Sequence, residues 1–207
     1  MNENEHGIFG KISGYYNDLV NKHGHSHSAC DYGHPNSQRI KFEVLSEVTS
    51  LSRKRLLDVG CGLADYRNFL SSRFDSVDYT GVDISPRMVE EAQRSHPNEK
   101  IILMNILESD PGTFDVVTAN GIFYLLGEDA RKIMESIIAR MFSLASEAVA
   151  FNSLSCWAPD PEEKEFYADP RETIEFCRTL SPWVVLRHDY HPRDFTVYLY
   201  KKRKYGQ

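Results

Sequence analysis

The 207-residue sequence predicts an α/β fold: a mostly parallel sheet of seven strands, helices on both faces, and an N-terminal helical extension. Three observations carry that expectation. From residue 55 onward, short apolar runs alternate with segments of helical period, the pattern of right-handed strand–helix–strand crossovers. The first of these runs ends directly in a glycine-rich turn at Gly60 and Gly62. The last two runs alternate in polarity with no helix between them, as a closing antiparallel pair does.

The elements follow in order. Ile8 to Val20 sets Ile8, Phe9, Ile12, Tyr15, Tyr16, Leu19 and Val20 at helical spacing. A loop rich in His, Gly and Ser runs from Asn21 to Pro35, and a second helix is expected from Ser37 to Leu51, with Ile40, Val44, Leu45 and Val48 on one face. Residues 1–52 thus read as a helical lid and residues 53–207 as the core of one domain. Arg55 to Val59 reads as a buried strand, Ala64 to Arg73 as a helix, and Val77 to Val82 as a second strand. Ser85 as N-cap and Pro86 in the first helical position open a helix that runs to Ser95. Lys100 to Met104 and Phe114 to Ala119 are strands, Asp129 to Leu144 a long amphipathic helix, and Glu147 to Asn152 a fifth strand. A helix over Pro170 to Leu180 precedes the final pair, Trp183 to Tyr190 and Phe195 to Lys201.

Composition narrows the function. The length suits one domain with one sizeable core, and no apolar run reaches the roughly 18 residues of a membrane span. The first seven residues lack the apolar stretch of a secretory signal. Cys30, Cys61, Cys156 and Cys177 are scattered without a C-x-x-C pair, neither a disulfide framework nor a zinc ribbon, which points to a reducing compartment and so to the cytoplasm. A formal charge of −6 argues against nucleic acid as substrate. The basic run Lys201 to Lys204 reads as a solvated tail. The expected partner is a small molecule, bound by a monomer or homodimer, with neither membrane nor nucleic acid involved.

Ligands of such sheets bind at the carboxyl ends of the strands, and the motifs fall there. Leu56-Leu57-Asp58-Val59-Gly60-Cys61-Gly62-Leu63-Ala64 is a strand ending in a turn whose glycines admit close backbone approach. The third glycine of a phosphate cradle would stand at position 65, which is Asp65, so a zwitterionic ligand end suits the turn better than a pyrophosphate. Tyr79-Thr80-Gly81-Val82-Asp83-Ile84-Ser85 ends a second strand in a carboxylate suited to ribose hydroxyls.

In ordered combination these motifs resemble those of the class I (Rossmann-like) S-adenosylmethionine-dependent methyltransferases of small-molecule type. Leu57 to Gly62 is similar to the family's first motif, and Gly81 to Ser85 with Met88 and Ala92 to the next. Asn105-Ile106 stands at its adenine-recognition pair, and Phe114 to Asn120 resembles its fourth-strand motif. The resemblance spans about residues 55 to 152 and implies S-adenosylmethionine as cofactor. It implies Gly60 and Gly62 beneath the methionine part, with Asp58 positioning its amino group. It also implies Asp83 on the ribose, Ile84 and Met88 on adenine, Asn105 and Ile106 at the adenine edge, and Asn120 and Gly121 near the methionine end. Two positions depart from the family pattern: Ala64 stands where many members have glycine, and Asn105 replaces the commoner Asp.

Methyl transfer needs alignment, exclusion of water and sometimes a proton acceptor, but no covalent nucleophile. Asn120-Gly121-Ile122-Phe123-Tyr124 lacks the prolines of the family's Asn-Pro-Pro-Tyr motif, which argues against a base or amide acceptor. Tyr16, His25, Asn120 and Tyr167 are the candidate catalytic residues, with Asn152 a further acceptor contact and Arg39 a partner for the methionine carboxylate. His23, His25 and His27 alternate in a Gly/Ser loop without firm ligand geometry, so no metal is expected. Asp189, His191 and Asp194 read as turn residues. The expected function is methylation of a small acceptor in a biosynthetic pathway. The alternative is a lyase or cyclase that turns the cofactor on itself and releases methylthioadenosine.

Overall fold

The computed structural model describes residues 3–31 and 35–204. Two helices, α1 (Glu3–His23) and α2 (Pro35–Ser46), precede the first strand, with a short 3-10 turn at His27–Cys30 between them. Then come β1 (Arg55–Val59), α3 (Asp65–Ser71), β2 (Asp78–Asp83), α4 (Pro86–Ser95), β3 (Lys100–Leu103) and β4 (Phe114–Ala119). The chain continues through α5 (Ala130–Leu144), β5 (Ala145–Leu154), α6 (Pro170–Leu180), β6 (Val184–Arg187) and β7 (Asp194–Tyr200). The strands form one sheet in the order β3-β2-β1-β4-β5-β7-β6. β1 to β5 are parallel, whereas β7 runs antiparallel to both β5 and β6.

Helices cover both faces, so the central strands are apolar on both sides. Leu56, Val116, Ala148 and Tyr198 meet Leu45 of α2, Leu70 of α3 and Val89 of α4 on one face. Leu57, Val117, Val149 and Val197 meet Ile133, Ile137 and Met141 of α5 on the other. Burying each large aliphatic side chain in these layers contributes about 1.5–3 kcal/mol. The α4 boundary comes from local chemistry: the Ser85 hydroxyl accepts from the Met88 amide, and Pro86 needs no hydrogen-bond partner of its own.

α2 ends at Ser46, short of the expected Leu51, where the chain tightens and the Glu47 amide bonds the Val44 carbonyl at 3.1 Å. The Tyr198 hydroxyl donates to the Val44 carbonyl, and Tyr200 donates to that of Val48 at 3.0 Å. Together with the Glu47 amide they satisfy carbonyls at the helix end. The reversal of β7 has a second result. Its first residue, Asp194, pairs with Leu154 at the carboxyl end of β5, so the segment just before β7 reaches the sheet edge where β1, β2 and β4 also end. Among the described residues, no helix is long and apolar enough to cross a membrane.

Candidate active site

The carboxyl edge of the sheet opens into a cavity of about 510 Å³, roofed by α1, the 3-10 turn and α2. Its floor is the turn after β1. Gly60 and Gly62 both hold positive φ, +70° and +53°, and both are closely approached. A Cβ on Gly60 would lie 2.3 Å from Ile122 Cγ2, and one on Gly62 would lie 3.3 Å from Cys30 Sγ. Glycine is therefore required by the protein's own packing as well as by any ligand. Ala64 holds the same left-handed conformation at φ 61° and opens α3.

Two carboxylates organise this floor. Asp83, at the end of β2, accepts from the Gly62 amide through Oδ2 and from the Ser85 amide through Oδ1, both at 2.8 Å, and so ties the two motif turns together. Burial pushes its carboxyl above the usual value, while the Ser85 and Gly62 amides oppose the rise. Asp58 is buried deeper in the sheet, where Tyr79 donates to it at 2.7 Å and Thr118 at 3.3 Å. Burial outweighs those bonds and raises its carboxyl to about 7.

The expected cofactor residues divide clearly. Asp58, Gly60, Gly62, Asp83, Ile84, Met88, Asn105, Ile106, Asn120 and Gly121 all line the cavity. The Asn105 side chain also accepts from the Leu107 amide at 3.1 Å, an Asx turn that shapes its loop. Arg39 does not line the cavity: it projects into solvent and pairs with Glu43 at 3.3 Å, and it is Lys41, two residues on, that faces inward. The apolar stripe of α2 centres on Phe42 and Leu45, which turns position 39 away.

The candidate catalytic residues divide too. Tyr16 lines the cavity, and its hydroxyl lies 2.7 Å from that of Tyr124, which in turn donates to Asp31 at 2.7 Å. Tyr15 donates to the same Asp31 oxygen at 2.9 Å. Burial raises the phenols of Tyr16 and Tyr124, so both remain protonated donors. His25 lies outside the cavity, its Nδ1 3.0 Å from Ser95 Oγ and its Nε2 3.6 Å from Asp65, where it pins the loop to α3 and α4. The His27 side chain lies outside the described residues. Tyr167 also falls outside; its hydroxyl bonds Glu165 and Arg193 and accepts from the Glu162 amide at 2.9 Å. Asn152 sits behind the site, where its Oδ1 accepts from the Gly121 amide at 2.7 Å and its Nδ2 donates to Asn120. It fixes the loop after β4 and does not line the cavity.

Sequence reasoning missed the far wall. Lys41, His191, Arg193 and Asp194 line the cavity, with Asp194 only 2% exposed. Lys41 Nζ lies 2.9 Å from Asp194 Oδ1, and His191 Nδ1 lies 2.8 Å from Oδ2. Burial pushes Asp194 up, but these two neighbours outweigh it and hold the carboxyl below its usual value. A signal existed in the Asp-Phe-Thr-Val pattern, where a charged residue opens an otherwise apolar strand, yet only the reversal of β7 brings it to the site.

The residues present fit an adenosylated amino acid. Asp83 offers a carboxylate at the sheet edge, Ile84, Met88 and Ile106 an apolar slot beside it, and buried Asp58 a negative charge that a nearby ammonium would stabilise. Residues 57–142 match a family model described as a methyltransferase domain. A candidate methyltransferase of Mycobacterium tuberculosis is 28% identical over 154 residues, 70% of this chain and 91% of that protein. A trans-aconitate 2-methyltransferase of Rhodopseudomonas palustris is 32% identical over 82 residues, 39% of this chain. The chain spans only 32% to 52% of the trans-aconitate enzymes it matches. Among solved structures, the DhpI–SAH complex has a TM-score of 0.69 at 16% identity, covering 93% of this chain and 96% of that one. Magnesium protoporphyrin IX methyltransferase from Synechocystis with bound SAH has a TM-score of 0.67 at 12% identity, covering 94% and 100%. At such identities the structural likeness speaks for the fold.

Proposed function

We propose that this protein, a class I methyltransferase that draws on S-adenosylmethionine, methylates a small-molecule acceptor held in the same cavity, in a biosynthetic setting. One observation carries the reading. The cavity does not stop at the glycine turn but continues to the ends of β5 and β7, beneath a roof of the chain's own helices. A volume of about 510 Å³ lies within the range of small-ligand sites, and the roof leaves little room for a macromolecular acceptor.

When bound, the cofactor supplies a methyl carbon activated by an adjacent sulfonium. The chain's residues do the rest. Asp83, fixed by two backbone amides, offers its remaining lone pairs to ribose hydroxyls. Ile84, Met88 and Ile106 flank the adenine, and Asn105 stands at its edge. Residues 1–52 act as the lid. The hydrogen-bonded series Tyr16, Tyr124, Asp31 joins α1 to the loop after β4 and to the 3-10 turn, and so closes the roof and excludes water. Within it Tyr16 orients the acceptor, and Asn120 holds the methionine end.

The test is incubation of purified protein with S-adenosylmethionine, alone and with an acceptor panel, and mass spectrometry of the products. S-adenosylhomocysteine formed only with an acceptor supports the proposal. Methylthioadenosine formed without one would replace it with the lyase or cyclase reading.

A further inference from the structure

A continuous hydrogen-bonded series joins the glycine turn after β1 to the helical roof. The Gly62 amide donates to Asp83 Oδ2 and the Ser85 amide to Asp83 Oδ1. The Ser85 hydroxyl then donates to Asn17 Oδ1 of α1 at 2.9 Å, and the Arg87 amide donates to the same oxygen at 3.2 Å. One turn further along α1, Asn21 Oδ1 accepts from Arg87 Nε at 3.1 Å. The series Gly62, Asp83, Ser85, Asn17 thus runs from the floor of the cavity to its lid.

Asn17 does for α4 what a local capping residue does elsewhere. A helix begins with amides that have no partner within it. The Met88 amide is met by Ser85 Oγ, whereas the Arg87 amide is met by Asn17, 70 positions earlier in the chain. Ser85 is fully buried, so its hydroxyl needs a partner within the protein, and Asn17 is that partner. Beside these bonds, Val20 of α1 packs with Ala29, Leu63 and Met88 in a small buried cluster. Leu63 follows Gly62 in the glycine turn, and Met88 lines the cavity beside Ile84. The polar and the apolar contacts of this part of α1 therefore fall on the same two segments. The Tyr16–Tyr124–Asp31 series, by contrast, ties α1 to the loop after β4 and back to the 3-10 turn.

We infer that Asn17 is a positioning residue for the nucleoside half of the cofactor, and that it couples docking of α1 to occupancy of the site through Ser85 and Asp83. The inference rests on the methyltransferase reading above and adds the route by which the lid acts on the cofactor. With Asn17 in place, the start of α4 is fixed, and with it the Asp83 carboxylate and the slot beside Ile84 and Met88. Coupling of this kind is reciprocal: a residue of α1 that strengthens ligand binding is a residue through which the ligand steadies α1.

The test uses the full-length protein and two ligands, S-adenosylhomocysteine and 5′-methylthioadenosine, which keeps the nucleoside but lacks the amino-acid end. Calorimetry gives the affinities, and hydrogen exchange followed by mass spectrometry gives the protection of the α1 amides. Asn17→Ala should weaken both ligands by the same factor, about three- to tenfold, the range of one hydrogen bond. Asn17→Asp keeps an accepting oxygen in place, beside a helix N-terminus that favours negative charge, and should bind both within about twofold of the parent. S-adenosylhomocysteine should slow exchange in α1 of the parent and of Asn17→Asp, and should slow it less in Asn17→Ala. Alanine is the better helix former, so a loss in that variant is not a loss of helix propensity in α1. Unchanged affinity in Asn17→Ala, a loss that Asn17→Asp does not recover, a loss confined to S-adenosylhomocysteine, or α1 amides indifferent to ligand overturns the inference. If S-adenosylhomocysteine binds the parent and any of these results is found, methyl transfer stands and only this inference falls. If S-adenosylhomocysteine does not bind the parent, the methyltransferase reading fails and the inference with it.

Discussion

Replacing Gly60 by alanine sets two separable costs on one atom. The residue holds φ +70°, a left-handed conformation that costs an L-residue about 1–2 kcal/mol. The new methyl group would also stand 2.3 Å from Ile122 Cγ2, well inside the roughly 3.5–4.0 Å at which two carbons attract. Moving Ile122 away by more than an ångström is an overpacking problem of about 1–3 kcal/mol. Gly60→Ala should therefore destabilise the fold by about 2–5 kcal/mol, and lower Tm by roughly 5–15 °C for a chain of this length. Urea unfolding followed by far-ultraviolet circular dichroism measures the first figure, and a thermal scan the second. A cycle with Ile122→Ala divides the costs: truncation of Ile122 removes the clash and should restore about 1–3 kcal/mol, leaving the backbone cost behind. A loss below 1 kcal/mol with no coupling between the two positions would refute the packing argument.

Two further outcomes follow from the carboxylates. Asp83→Ala leaves the Gly62 and Ser85 amides unpaired beneath the cofactor, and should cost about 1–3 kcal/mol in stability and weaken S-adenosylhomocysteine in calorimetry. An unchanged affinity would remove the ribose from Asp83. The carboxyl of Asp58 is raised by burial to about 7 in the folded chain, against 3.8 for the unperturbed group. The folded state therefore keeps a proton that the unfolded state releases, and stability falls as pH rises from about 4 to 7, by up to about 4 kcal/mol. Asp58→Asn should flatten that decline, as urea titrations at several pH values would register. A parent and variant with parallel pH profiles would contradict it.

Local chemistry made much of the fold legible. β1, β4, α4 and α6 begin and end where the sequence indicates, because a proline, a capping residue or a glycine turn marks their ends. The glycine-turn side of the cavity was legible for the same reason, since Gly60, Gly62 and Asp83 lie in contiguous motifs at strand ends. The far wall was not. Lys41, His191 and Asp194 lie far apart in the sequence, and they meet only because β7 runs against β5. His191 and Asp194 viewed locally are hairpin residues. Arg39 and Tyr167 carry fitting side-chain chemistry, but the facing of α2 and the Glu165–Arg193 pairing direct them elsewhere. His25 belongs to a loop whose direction no periodicity specifies.

The antiparallel course of β7 also bears on how such a protein diversifies. The residues proposed to hold the cofactor lie at the ends of β1 and β2, at the start of α4 and in the turns after β3 and β4. The opposite wall is drawn from α2, the segment after β5, and the bend before β7. None of the hydrogen bonds of Gly62, Asp83 or Ser85 runs to that bend. If the far wall holds the acceptor as proposed, substitutions between His188 and Arg193 alter the acceptor while leaving the bonds of Gly62, Asp83 and Ser85 in place. On that proposal, a lineage carrying this fold can vary its acceptor by redrawing segments that make none of these bonds.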